Sequence, residues 1–220
     1  TITKNIKLVF FLVGILQLLG CKRHDEGVAL WSYQKVELKA NIGSLLGSTT
    51  TGWQQHQAFG LFIKTSGNTN LTNPLEANRQ LMYQPLNDGF QLIGNPIYYP
   101  QNSAIDFIAY APYKANLTTT YPIDISNQSD PKTLELLYSD GTKSIYKQEN
   151  PINISFDHQL SKIVFSLRSF DNTTAGLENV QIALKGFHDK ADFDLATGAI
   201  INSSPSINPI AIGLARQATV

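Results

Sequence analysis

A single cysteine, Cys21, stands in 220 residues, so no disulfide can form within the chain and stability must come from a packed core. Charge is equally scarce. Seventeen Lys and Arg balance 17 Asp and Glu, only 15% of residues are charged, and the formal net charge is zero. No basic field exists to attract nucleic acid. A sustained 3.6-residue apolar period is missing, and Pro96, Pro100, Pro112, Pro122, Pro131 and Pro151 break any long helix before it can form. Catalytic signatures are missing too: there is no G-x-S-x-G elbow, no G-x-G-x-x-G and no P-loop. His24, His56, His158 and His188 show no metal-ligand spacing, and His158 reads as a half-buried structural histidine at a strand. Asp189, Asp192 and Asp194 lack the glycine and distal glutamate of a calcium loop, which leaves a solvated hairpin face. Asp106 and Glu135 are carboxylates that sequence alone cannot pair for glycoside hydrolysis. No enzyme, metal or cofactor is expected.

What is present begins at the N-terminus. Lys4 and Lys7 precede an apolar run from Leu8 to Leu16, then Leu18-Leu19-Gly20-Cys21. A short cationic segment, a short apolar core and a small residue before the cleavage point make a secretory signal. The run is too short for a membrane span of about 20 residues. Its ending resembles the bacterial lipobox, in which the cysteine is acylated and becomes the new N-terminus. Lipidation of Cys21 also accounts for an unpaired thiol in an exported protein. Anchoring to the outer-membrane lipid follows, since acyl chains contribute about 0.8 kcal/mol per buried methylene. Lys22-Arg23-His24-Asp25-Glu26 then forms a charged tether. About 200 residues remain, enough for one large domain or two small ones.

From there period-two alternation dominates and argues for strands. Val36, Leu38, Ala40 and Ile42 alternate with Lys35, Glu37, Lys39 and Asn41. Ile105, Phe107 and Ala109 share one face, with Asp106, Ile108 and Tyr110 on the other. Ile163, Phe165 and Leu167 alternate with Lys162, Val164, Ser166 and Arg168; Val180, Ile182 and Leu184 alternate with Gln181, Ala183 and Lys185. Further candidates are 58–64, 79–84, 89–93, 151–156 and 133–138, the last also compatible with one helical turn. Asn87-Asp88-Gly89, Asp140-Gly141 and Thr197-Gly198 supply turn chemistry. Many short strands with regular turns predict an all-β sandwich or open barrel. Phe107, Phe156, Ile163, Phe165, Val180, Ile182, Leu184 and Phe193 are its expected core.

Tyr98, Tyr99, Phe107, Tyr110 and Tyr113 crowd one segment. Exposed, they would form a sugar-stacking platform; on strands among apolar neighbours, they are core and cross-strand pairs. In the same segment, Ile97-Tyr98-Tyr99-Pro100 followed by Ile105-Asp106-Phe107-Ile108-Ala109-Tyr110-Ala111-Pro112-Tyr113 resembles the fimbrillin-like family of Bacteroidales. Leu136-Leu137-Tyr138-Ser139, with Glu135 before it, is similar to that family's Asp-Leu-Leu-Tyr-Ala block. Phe156-Asp157-His158-Gln159-Leu160-Ser161-Lys162-Ile163 resembles its Phe-x-His-x-Leu-Ser-Lys-Ile strand, and Ala191 to Ile200 its closing hairpin.

The resemblance implies an all-β, transthyretin-like β-sandwich, the first of two tandem domains with the second truncated. The chain opens on Thr1 and closes on Ala218-Thr219-Val220 after an apolar stretch, so a fragment is expected. The expected layout is a signal peptide over 1–20, lipidated Cys21 and tether over 21–33, the sandwich over 34–200 and a second domain starting at 201–220. Asp25-Glu26 is similar to the export signal of surface lipoproteins. The implied function is a type V pilus subunit or surface adhesin, trimmed by a trypsin-like protease and joined to other pilus subunits by strand exchange. Host or bacterial surface ligands are implied partners, and the cell surface or fimbrium the location. The family's arginine upstream of Trp-x-x-Gly-Asp is missing around Gly47 to Trp53, which leaves Lys35 and Lys39 as candidate trimming sites. A glycan-binding lipoprotein of a polysaccharide uptake system is the alternative, and a surface hydrolase a third.

Overall fold

The computed structural model describes residues 34–43, 52–129, 134–167, 180–205 and 209–212, all within the unit Gln34–Val220. The signal segment, Cys21 and the tether lie outside the described residues. Those that are described contain strands, turns and loops but no α-helix. The strands are β1 (Leu38–Ile42), β2 (Ala58–Thr65), β3 (Glu76–Gln84), β4 (Gly89–Leu92), β5 (Ile105–Ala111) and β6 (Thr120–Asp124). They continue with β7 (Leu137–Ser139), β8 (Ile152–His158), β9 (Ile182–Leu184), β10 (His188–Asp194), β11 (Ala199–Pro205) and β12 (Ile210–Ile212).

Seven strands form the main sheet in the order β1-β8-β7-β5-β2-β3-β4, and β11-β10-β6 form a second sheet of three. Among the described residues β12 pairs with β9 alone. Because side chains alternate along a strand, each central strand serves two apolar clusters. Phe59, Leu61 and Ile63 of β2, Phe107 and Ala109 of β5, Leu137, and Ile152, Ile154 and Phe156 of β8 build the first. Phe62, Ile108, Tyr110, Leu136 and Tyr138 point the other way, onto Tyr121 and Ile123 of β6 and Phe193 of β10. The three-stranded sheet thus covers one face of the main sheet, giving an all-β sandwich. On the other face the main sheet curls, so that its edges β1 and β4 approach each other over the first cluster.

Double-sided burial explains the composition of the central strands. All of Ile105–Ala111 is buried, including Asp106. The carboxylate of Asp106 accepts the Ser144 N–H at 2.8 Å and lies 3.8 Å from the Lys64 ammonium, itself held by the Asn68 carbonyl. Lys64 and Asp106 sit directly opposite each other on β2 and β5, so two charges enter the sheet as a pair rather than singly.

Three expectations need correction. Residues 162–167 form no strand: Ile163 is 55% exposed, Val164 76% and Phe165 40%. Their alternation shows that the segment can be half-buried, but no partner strand meets it among the described residues. Val180 is likewise exposed and Ile182 and Leu184 only half-buried, whereas Phe107, Phe156 and Phe193 are core. Of the candidate 133–138, residue 133 lies outside the described residues and the strand starts at Leu137, where β7 meets β5 and β8. β6 lies outside the strands expected from the sequence, and it carries Pro122 at its centre. Proline is tolerated there since β6 is an edge strand, paired among the described residues only with β10.

Candidate functional site

The feature most open to interaction is the edge formed by β1. It runs parallel to β8, with Leu38 opposite Ile152, Ala40 opposite Ile154 and Ile42 opposite Phe156. Leu38, Ala40 and Ile42 are half-buried against the first cluster, while Lys39 and Asn41 are exposed. The ladder phase follows from two bonds: Ile152 N–H donates to the Glu37 carbonyl and Gly43 N–H to the Phe156 carbonyl, each at 2.8 Å. Odd-numbered residues 37 to 43 therefore turn their backbone groups toward β8. Even-numbered residues 36 to 42 turn theirs to the outer edge. There Val36 N–H donates to the Ile97 carbonyl at 2.9 Å, and Tyr99 N–H to the Gln34 carbonyl at 3.0 Å. The Trp53 indole N–H donates to the Ala40 carbonyl at 3.2 Å.

Under β1 lies an aromatic nest. Trp53 meets Phe90 edge-on at 4.9 Å and Phe156 at 5.3 Å, and Phe59 touches both phenylalanines. Without β1, the outward backbone groups of β8 and an apolar strip of Ile152, Ile154 and Phe156 would face solvent. That combination accepts an extended strand with apolar side chains at alternate positions.

Both candidate trimming residues fall on this edge. Lys35 forms an isolated antiparallel bridge with Tyr98, and Lys39 lies in the middle of β1. Their side chains are exposed, but their backbones are engaged in pairing. After Arg23, no other lysine or arginine precedes Lys64.

The remaining polar candidates are structural. His158 Nδ1 lies 2.7 Å from Glu135, joining the family-like block around Leu136 to the one around Phe156; its Nε2 is buried and has no partner among the described residues. His188 bonds Ser203, while Asp194 caps the turn at Ala196 and Thr197. No group of metal-ligating side chains occurs among the described residues. The aromatic segment makes no platform: Tyr99, Phe107 and Tyr110 are buried, Tyr113 is half-buried, and Tyr98 is exposed. A cleft of about 260 Å³ beside β6 is floored by Tyr121, Ile123, Leu136 and Leu160. Lys114 leans over its Tyr121 wall, with Nζ 4.0 Å from the ring centre and bonded to the Pro122 carbonyl. Burial pushes the Lys114 ammonium down and the Tyr121 hydroxyl up to about 12. Sequence reasoning missed Trp53 as a partner of β1. Its only local signal is an isolated tryptophan after a Gly- and Thr-rich stretch.

Residues 48–219 match the model of a family described as fimbrillin-like. No curated protein matches the chain. Among solved structures, the chain is similar to a candidate cell adhesion protein from Bacteroides uniformis, with a TM-score of 0.66 and 20% identity over 82% of this chain and 72% of that one. A fimbrial protein from Bacteroides ovatus gives a TM-score of 0.37 and 18% identity over 57% of this chain and 28% of that one. The first likeness extends the shared fold across most of the sandwich.

Proposed function

The chain belongs to the fimbrillin-like family, and from that premise we propose a surface lipoprotein, held by acylated Cys21, whose β1 strand can be exchanged for a strand of another pilus subunit. Membership makes it a fimbrial or adhesive structural protein rather than an enzyme. The observation that carries strand exchange is the position of β1: an edge strand among the described residues, parallel to its neighbour β8, with its apolar side chains in the first cluster. Parallel pairing is slightly less stable per residue than antiparallel pairing. A donor strand arriving antiparallel to β8 would fill the same apolar strip with a better ladder. The glycan-binding alternative is disfavoured by the burial of the aromatic segment.

Trimming at Lys39 would divide β1, leaving Ala40–Ile42 on the body of the protein. A donor must therefore displace this remnant as well. Limited trypsin digestion of the folded full chain tests the proposal. Cleavage at Lys35 or Lys39 followed by laddered, SDS-resistant oligomers is the expected outcome. A chain that is cut there and stays monomeric would instead have a permanent β1, and an anchored adhesin becomes the function.

A further inference from the structure

We infer that Trp53 is a clasp on the outer edge of β1, a side chain standing where a further strand would bond and setting how readily β1 leaves. The inference rests on the exchange of β1 proposed above. Ala40 turns its carbonyl away from β8, where an edge strand would leave it to water or to an incoming strand. The Trp53 indole takes that carbonyl at 3.2 Å from 13 positions away in sequence. The same ring packs on Phe156 of β8, Phe59 of β2 and Phe90 of β4. One side chain therefore spans the two approaching edges of the curled sheet and bonds the backbone of the strand between solvent and β8. Two consequences follow. The clasp blocks strand addition at the middle of the outer edge, and it ties the opening of β1 to the rotation of a single indole. Val36 N–H is held by Ile97 at the start of the segment and Gly43 N–H by Phe156 at its end. Trp53 secures the centre, where Lys39 lies.

The test is replacement of Trp53 by benzothienylalanine in the full chain, which keeps the ring shape and removes the N–H; Trp53→Phe is the second variant. One net hydrogen bond corresponds to about a fivefold change in an opening equilibrium. Exchange of the Gly43 amide and tryptic cleavage after Lys39 should both quicken about fivefold. The Phe107 amide, bonded to the Thr142 carbonyl in the sheet interior, should exchange at its wild-type rate. Unchanged rates at Gly43 and Lys39 would overturn the clasp. Equal acceleration at Gly43 and Phe107 would also overturn it, because Trp53 would then be only a core residue. A labelled peptide of sequence Val36–Gly43 separates this from strand exchange. Faster capture by the variant than by wild type supports both ideas. Equal capture by the two proteins overturns the clasp and leaves exchange standing. Capture by neither, with Gly43 selectively accelerated, sinks exchange and leaves the clasp.

Discussion

Alanine at Gly60 should destabilise the sandwich far more than its small size suggests. Gly60 lies directly opposite Tyr110 on the neighbouring strand, and both are buried. The tyrosine ring lies across the position of the missing side chain. A Cβ on Gly60 would overlap the ring carbons Cε1 and Cζ and stand 2.7 Å from the hydroxyl oxygen. The ring has little freedom to retreat. Its hydroxyl donates to Asn78 Oδ1 at 2.6 Å, and the Lys114 N–H donates to it at 3.3 Å. Burial pushes this hydroxyl well above the usual tyrosine range, so it stays a donor at any physiological pH. Overpacking a core costs about 1–3 kcal/mol, and breaking buried hydrogen bonds adds about 1 kcal/mol each, more where a group is left unpaired. The expected loss for Gly60→Ala is about 3–5 kcal/mol, a large part of the ~5–15 kcal/mol that holds a domain. Urea unfolding measures it. In a Tyr110→Leu background, which removes the clashing atoms, the same substitution should cost under about 1 kcal/mol, a coupling characteristic of residues in contact. Gly60 does not have a positive φ, so alanine at an uncrowded site would be neutral or mildly stabilising by about 0.4–1 kcal/mol. A neutral or stabilising Gly60→Ala, or an equal cost in both backgrounds, would refute the close-approach account.

Phe156→Ala, at 0% exposure beneath β1, should cost about 3–5 kcal/mol. Phe165→Ala, on the exposed run after β8, should cost under about 1 kcal/mol, and equal losses in urea would contradict the burial pattern. For Asp106, burial pushes the carboxyl up, but the Ser144 and Gly67 N–H groups, the Ser66 hydroxyl and the Lys64 ammonium hold it below 3.8 overall. A depressed folded-state pKa contributes stability above the unfolded value that is lost as pH falls through the folded one. Stability measured downward from about pH 5 should therefore fall more steeply in wild type than in Asp106→Asn, and parallel curves would exclude this role. Cys21→Ala should abolish incorporation of labelled fatty acid and release the protein from membranes; equal labelling of mutant and wild type would remove the lipid anchor.

Strand phases were readable wherever apolar residues alternate beside good turns. β1, β2, β5 and β8 fall where the alternation of Val36 to Ile42, 58–64, Ile105 to Ala109 and 151–156 puts them. The turn at Asn87-Asp88-Gly89 separates β3 from β4, and Thr197-Gly198 separates β10 from β11. Alternation and turn chemistry act over a few residues, so a linear chain carries them in full. The four family-like blocks were legible for a related reason: each is a contiguous run of the chain, as Phe156 and His158 are on one strand.

What the chain could not disclose are choices of partner. The run 162–167 has the right alternation and no strand beside it among the described residues, while Thr120–Asp124 carries a proline and still pairs with β10. The bond from Trp53 to Ala40 spans 13 positions, the pairing of β1 with β8 spans 114, and that of Lys64 with Asp106 spans 42. No local pattern selects among such distant partners, because each pairing depends on backbone groups left free by another. Which face each side chain can bury is a property of the sequence. Which strand stands at the edge, and what closes over it, arises only when the sheet curls and brings β1 to β4.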